Sequence, residues 1–152
     1  EQPVKASDGS VVNSRELREK SPEGVLGDVK EYMAKGKLYG MDSFVEIDGD
    51  LQKQFDVWLK SLQDDGVHPI VFLPPYHPYT YDFMTSGLTY LIILDVEKHI
   101  RDVCAELGIP VVGSYNSREA GLTNQDFYDF MHPRREAVER LFAESSLTTN
   151  KE

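Results

Sequence analysis

The sequence predicts an α/β fold in which helices alternate with parallel strands. Two segments, "DDGVHPIVFL" and "ELGIPVVGSY", each contain a helix end, a glycine, a short turn with proline and an apolar β-branched run. Two consecutive helix-to-strand units favour a small parallel sheet with right-handed crossovers and helices packed against it. The length of 152 residues suits a single domain with a sizeable core.

The N-terminal part contains only weak patterns. Residues 1–23 are polar and include the turn sequence "SDGS", which predicts an arm or small hairpin. Apolar residues such as Val25 and Val29 predict a helix over 24–34, and "SFVEI" at 43–47 predicts a short strand. We expect one globular domain over 24–144 and a frayed tail over 145–152.

The clearest helix precedes the first buried strand. Its apolar stripe consists of Leu51, Phe55, Trp58, Leu59 and Leu62. The spacing predicts that one face, including Trp58, lies in the core, with Asp48 or Asp50 as the N-cap and Gly66 at the end. The run "VHPIVFLPP" at 67–75 then predicts a buried strand.

The second unit follows a long aromatic connection, 76–94, which is expected to include a helical segment. A helix over 95–107 contains Cys104 in its apolar stripe, which favours a small core residue over a nucleophile. A strand over 109–115, a polar loop over 116–132 and a last helix from Pro133 to about Glu144 complete the prediction, with Pro133 in the first helical position.

Composition excludes several classes of function. The net charge of −10 and the pI near 4.8 argue against a nucleic-acid or anionic-membrane partner, which requires a basic face. No apolar run approaches the roughly 20 residues of a membrane-spanning helix. The single Cys104 cannot form an intramolecular disulfide, and we predict no cofactor and no metal.

The segment "DFYDFMHPRREAVERLF" places Asp129 three residues before His132. A carboxylate at this spacing can accept a hydrogen bond from the imidazole, fix its tautomer and leave the other nitrogen free to act as a base. The alternative is that Asp129 only caps the last helix and His132 flanks it. Arg134 and Arg135 next to the pair are expected to be solvated, with an anion-binding role as the alternative.

This segment resembles the last block of the SGNH, or GDSL-like, hydrolases, in which Asp-x-x-His precedes the final helix. The element order over about 50–144 is similar to the C-terminal half of the cell-envelope members related to DltD and the alginate O-acetylation proteins. The resemblance implies a three-layer, flavodoxin-like fold and a serine esterase or O-acyltransferase. By this resemblance, Asp129 and His132 are expected to be the catalytic acid and base. The expected substrate is an acylated polysaccharide, and the favoured location is extracytoplasmic.

The nucleophile block of that family is missing. Ser43 in "GMDSF" and Ser10 in "SDGS" lack the apolar strand that should precede a nucleophile. We therefore expect the serine to lie before Glu1, which would leave this chain inactive alone. The alternative is a divergent non-catalytic member. A fragment without the first strand would leave a sheet edge exposed, and we expect a homodimer to cover that edge.

The loop "PPYHPYTYD" contributes Tyr76, His77 and Tyr79, which we expect at the mouth of the site as substrate-binding residues. An ordinary rigid loop explains the same residues equally well. The loop also supports a different function, a non-enzymatic carbohydrate- or protein-binding module. A metal site from His77, Asp129 and His132 is disfavoured because no closely spaced ligand pair is present. His99 is expected to be solvated.

Overall fold

A computed structural model describes residues 4–5, 7, 11–38 and 40–145 of the chain. The helices are α1 (Arg15–Glu19), α2 (Pro22–Ala34), α3 (Gly49–Asp64), α4 (Pro78–Ser86), α5 (Ile92–Leu107) and α6 (Arg135–Glu144). The strands are β1 (Val4–Lys5), β2 (Val11–Val12), β3 (Val71–Leu73) and β4 (Val111–Gly113). The predicted mixed α/β character is confirmed.

Strands β3 and β4 pair in parallel, as the two helix-to-strand units predicted. Val71, Phe72 and Leu73 lie opposite Val111, Val112 and Gly113, and a bridge between Tyr76 and Asn116 continues the pairing beyond the strands. Both strands are shorter than the runs 67–75 and 109–115 that predicted them.

Gly113 ends β4 in a conformation that requires glycine. Its φ is 81°, and a Cβ atom there would lie 2.4 Å from the carbonyl oxygen of Leu73. Since real Cβ atoms do not approach a backbone oxygen so closely, the two strands can meet at this distance only with glycine at the position.

Helices cover both faces of the pair because successive side chains of a strand point in opposite directions. Val71 and Val111 pack against a cluster from α3 and α5 that contains the buried Cys104, which confirms its prediction as a core residue. Phe72 and Val112 pack with residues of α6 on the other face. A third cluster joins α2, α4 and the start of α5 through Val25, Val29, Met33, Met84 and Ile93.

Helix α3 is present and is capped by Asp48, whose carboxylate accepts the backbone N–H groups of Asp50 and Leu51. The prediction that Trp58 lies in the core is wrong, since 54% of its surface is exposed. The buried face is centred on Leu59. Leu51, at the start of the predicted stripe, is also exposed, and polar side chains of α3 take part in the contact with α5.

His99 on α5 belongs to that polar contact. Gln52 donates its amide N–H to Nδ1 of His99 (2.7 Å), and Nε2 of His99 donates to Asp56 (2.8 Å). Gln63 donates to the carbonyl of Leu107 at the other end of the contact (2.9 Å). The expectation that His99 is solvated is therefore wrong, because its side chain links two helices.

The N-terminal part differs from prediction in three places. Strands β1 and β2 pair antiparallel, but residues 15–19 of the predicted arm form helix α1, and the helix predicted from Gly24 begins at Pro22. The strand predicted at 43–47 is absent: a 3-10 turn, Met41–Ser43, is followed by irregular chain in which Val45 is 88% exposed. The tail predicted to fray lies outside the described residues from 146 onward.

The other elements follow the prediction with shifted ends. The connection 76–94 contains α4, as expected, and α5 begins at Ile92, three residues before the predicted start. The last helix begins at Arg135, so Pro133 is not its first residue but forms an isolated bridge with Phe127. Within the described part of the chain, none of the helices has the length and apolar character needed to cross a membrane.

Candidate active site

Asp129 and His132 form a hydrogen-bonded pair in the loop before α6. Nδ1 of His132 lies 2.8 Å from Oδ2 and 3.0 Å from Oδ1 of Asp129. A carboxylate only accepts hydrogen bonds, so Nδ1 of His132 carries a proton, and in the neutral ring Nε2 keeps its lone pair. The His132 side chain is 61% exposed and that of Asp129 is 31% exposed. The pair therefore has a basic nitrogen that is accessible from solvent.

Backbone contacts fix the Asp129 carboxylate. Its Oδ1 accepts the backbone N–H groups of Met131 (2.9 Å) and His132 (2.8 Å), and the N–H of Tyr128 donates to the His132 carbonyl (2.9 Å). The N-cap of α6 is Arg134, not Asp129. The alternative in which Asp129 caps the last helix is therefore wrong, and the carboxylate instead organises the turn that presents His132.

Arg134 ties this loop to the N-terminal segment. Its guanidinium donates to the carbonyls of Arg18 (2.8 Å), Lys20 (3.1 Å) and Gln125 (3.1 Å), and lies 4.7 Å from the centre of the Tyr128 ring. The prediction of a solvated side chain is wrong for Arg134. Its three carbonyl contacts bring the segment before α2 to the side of the acid–base pair.

A pocket of about 450 Å³ opens beside the pair. Tyr128, Asp129, His132, Pro133 and Arg135 line it from the loop and the start of α6, and Val11, Asn13 and Leu17 line it from the N-terminal segment. Arg135 also forms an ion pair with Glu139 (2.8 Å), one turn along α6. The sequence indicated the loop side of this pocket, but nothing in it indicated that the N-terminal segment forms the opposite wall.

His77 lies behind the pair, in the interior. Its residue surface is 0% exposed, so the expectation that it lines an open mouth is wrong. Its Nδ1 accepts the backbone N–H of Tyr79 (3.1 Å) and caps α4, and its own N–H donates to the Phe130 carbonyl (3.1 Å). Burial lowers the pKa of His77 to about 4, although the charge of Asp129 acts in the opposite direction.

Three buried polar atoms lie where the two loops meet. Nε2 of His77, Oγ1 of Thr80 and Oγ of Ser117 have no hydrogen-bond partner among the described residues. His77 and Ser117 directly follow the bridged residues Tyr76 and Asn116, so the loops after both strands do converge at one edge, as predicted. Thr80 and Ser117 were not candidates, because only the tertiary structure shows that they are buried.

Tyr76 and Tyr79 make separate contacts. Tyr76 lines a larger cavity and lies 5.8 Å from Tyr115, measured between ring centres. Tyr79 is 38% exposed, and Nζ of Lys30 lies 5.7 Å from its ring centre. The expected substrate-binding role of these tyrosines stays a prediction, and neither of them lines the pocket beside His132.

Ser43, the described candidate for the nucleophile, does not line the pocket beside the pair. The hydroxyl of Ser43 donates to the Gly40 carbonyl (3.0 Å) at the larger cavity, and Ser10 lies outside the described residues. Among residues 4–5, 7, 11–38 and 40–145, no hydroxyl is hydrogen-bonded to Nε2 of His132. The same residues contain no group of three or more His, Cys, Asp or Glu side chains placed to hold a metal ion.

The comparisons with known proteins gave no match. No family model matches the chain, and no curated protein and no solved structure is significantly similar to it.

Proposed function

We propose that the chain provides the acid–base half of an SGNH-like serine esterase or O-acyltransferase, with Asp129 as the acid and His132 as the base. The observation that supports this most is the 2.8 Å contact from Nδ1 of His132 to Asp129, beside an open pocket. The order of β3, α5, β4 and α6, with helices on both faces of the parallel pair, is compatible with part of a three-layer, flavodoxin-like domain.

His132 takes up and releases one proton in each half-reaction. Nε2 of His132 takes the proton of a serine hydroxyl as its oxygen attacks the acyl carbonyl of the ester. The imidazolium, stabilised by Asp129, then gives that proton to the leaving alcohol, and an acyl-serine remains. Water or a sugar hydroxyl then loses its proton to Nε2 as its oxygen attacks the acyl carbonyl, and the imidazolium gives that proton to the serine oxygen as the bond between this oxygen and the acyl carbon breaks.

We propose that the serine lies in a segment that precedes Glu1, since no hydroxyl among the described residues is hydrogen-bonded to Nε2 of His132. The chain alone is then inactive or nearly so. An acylated cell-envelope polysaccharide is the proposed substrate, because it contains the ester and the acceptor hydroxyls that the two half-reactions need.

The test uses the full reading frame that contains this chain and a short-chain nitrophenyl ester as substrate. Since a working triad acts as a unit, His132→Ala should lower kcat/KM by about 10³-fold or more, and Asp129→Asn by about 10²- to 10⁴-fold. His68→Ala is the matched control, because His68 is exposed and does not line the pocket. Hydrolysis that His132→Ala leaves unchanged would refute the proposal.

A fluorophosphonate probe extends the test to the nucleophile. The probe should label one serine of the full reading frame, and peptide mass spectrometry should place that serine upstream of this chain. Labelling should be lost in His132→Ala and retained in His68→Ala. Labelling of a serine inside the chain at the same rate in both variants would contradict the assignment of the base.

A further inference from the structure

The second candidate site is a cavity of about 650 Å³ that shares no lining residue with the pocket beside His132. Its walls come from the segment 41–51, from the first turns of α5 and from Tyr76 and Tyr115 beyond the ends of β3 and β4. Ligand sites of α/β sheets lie at this edge, because loops from several elements converge there. The volume falls within the roughly 300–1,000 Å³ that is usual for small-molecule sites.

The wall of the cavity is mainly apolar. Phe44, Val45 and Leu51 line it and are 58%, 88% and 63% exposed. Ile92 and Val96 of α5 form the opposite side. A contiguous group of large apolar side chains open to solvent is uncommon on a monomer and marks a binding surface.

Two phenols add hydrogen-bonding groups at one end. The Tyr76 and Tyr115 rings are tilted by 54° to each other with centres 5.8 Å apart. Burial raises the pKa of Tyr115 above its ordinary value, and the nearby Tyr76 and Glu97 act in the same direction. The phenol is therefore protonated at neutral pH, as an ordinary phenol also is, and can donate a hydrogen bond.

The charges at the cavity have one sign. Glu46 and Asp48 line it, and no Lys, Arg or His is found among its described lining residues. The carboxylate of Asp48 accepts two backbone N–H groups at the start of α3, which fixes its position. With a net charge of −10 on the whole chain, the cavity disfavours an anionic ligand and favours a cationic one.

We propose that this cavity binds a cationic amphiphile, an apolar chain or ring with an ammonium group. The apolar part lies against Phe44, Leu51 and Val96, and the ammonium group lies near Glu46 and Asp48. This site goes beyond the proposed esterase chemistry and does not depend on it.

The test is displacement of the neutral fluorescent probe N-phenyl-1-naphthylamine from the purified chain. Decyltrimethylammonium and decanoate, used below their micelle concentrations, have equal alkyl chains and opposite charges. Two partly exposed carboxylates should make the cation about tenfold more effective than the anion. Equal displacement by the two ligands, or stronger displacement by decanoate, would overturn the proposal, and so would the absence of probe binding.

Variants place the bound ligand. Val96→Trp fills the cavity and should abolish probe binding. Leu51→Trp should also abolish probe binding, and because Leu51 is exposed, this substitution leaves the core intact. Val57→Trp is the control, because Val57 is exposed on α3 and does not line the cavity. Glu46→Gln should reduce the preference for the cation to about threefold, whereas Asp42→Asn should not, since Asp42 is exposed outside the cavity. Probe binding that survives both tryptophan substitutions would refute the location.

Discussion

Acid should destabilise this protein through His77. The side chain is 0% exposed, and burial lowers its pKa from 6.5 to about 4. Between these two values the unfolded chain binds a proton at His77 and the folded chain does not, so stability falls as the pH falls. The contribution is largely complete above pH 6.5 and is lost progressively down to about pH 4.

The magnitude follows from the shift. One pH unit within this window corresponds to about 1.4 kcal/mol, so the free energy of unfolding should fall by roughly 3 kcal/mol across the whole window. From about pH 7 to about pH 5 the expected loss is about 2 kcal/mol, a large part of the stability of a domain of this size.

The assay is urea unfolding followed by far-UV circular dichroism at a series of pH values. His77→Asn is the matched variant, because asparagine can still cap α4 and does not titrate. The wild-type chain should lose about 2 kcal/mol more than this variant between about pH 7 and about pH 5. Both proteins keep the same carboxylates, so the difference isolates His77.

A second variant controls for the loss of any histidine. His68→Asn removes an exposed imidazole, and its unfolding curves should change with pH as those of the wild-type chain do. Parallel pH dependence of the wild-type and His77→Asn proteins would refute the argument that burial keeps His77 neutral.

Further predictions concern the strands, α3 and the acid–base pair. Gly113→Ala should lower the free energy of unfolding by several kcal/mol, because its Cβ would meet the Leu73 carbonyl at 2.4 Å, and urea unfolding will measure this. Leu59→Ala should cost about 2–5 kcal/mol, whereas Trp58→Ser on the exposed side of the same helix should stay within about 0.5 kcal/mol in the same assay; equal costs would contradict the orientation of α3. Long-range ¹H–¹⁵N spectra should show the neutral His132 ring protonated at Nδ1, and a predominance of the Nε2–H form would contradict its hydrogen bond to Asp129.

The local pattern of the chain was enough to predict most of its helices. The apolar spacing and capping residues of α3 and α5 are properties of short segments, and both helices formed close to their predicted positions. The parallel pairing of β3 and β4 followed from the repeated helix-to-strand order. The segment 43–47 has the composition of a strand but pairs with no strand that the structure describes, and strand formation depends on such a partner.

The candidate site was predictable only in part for the same reason. Asp129 and His132 are three residues apart, so one turn of backbone suffices to bring them together. The hydrogen bonds from Arg134 to the carbonyls of Arg18 and Lys20 join residues more than a hundred positions apart, so no local sequence pattern predicts them. The placement of His77 depended on how the loops after β3 and β4 pack on each other, which left this histidine buried and not at the surface.

The sequence by itself determined the helix-to-strand order, the parallel pair and the acid–base motif, because each depends on residues that are close together in the chain. Only the tertiary structure decided which face of α3 is buried, that His77 is buried, that His99 links two helices, and that the N-terminal segment forms a wall beside His132. These outcomes depend on contacts between distant segments, where shape and hydrogen bonding select one arrangement among several that the same apolar pattern allows.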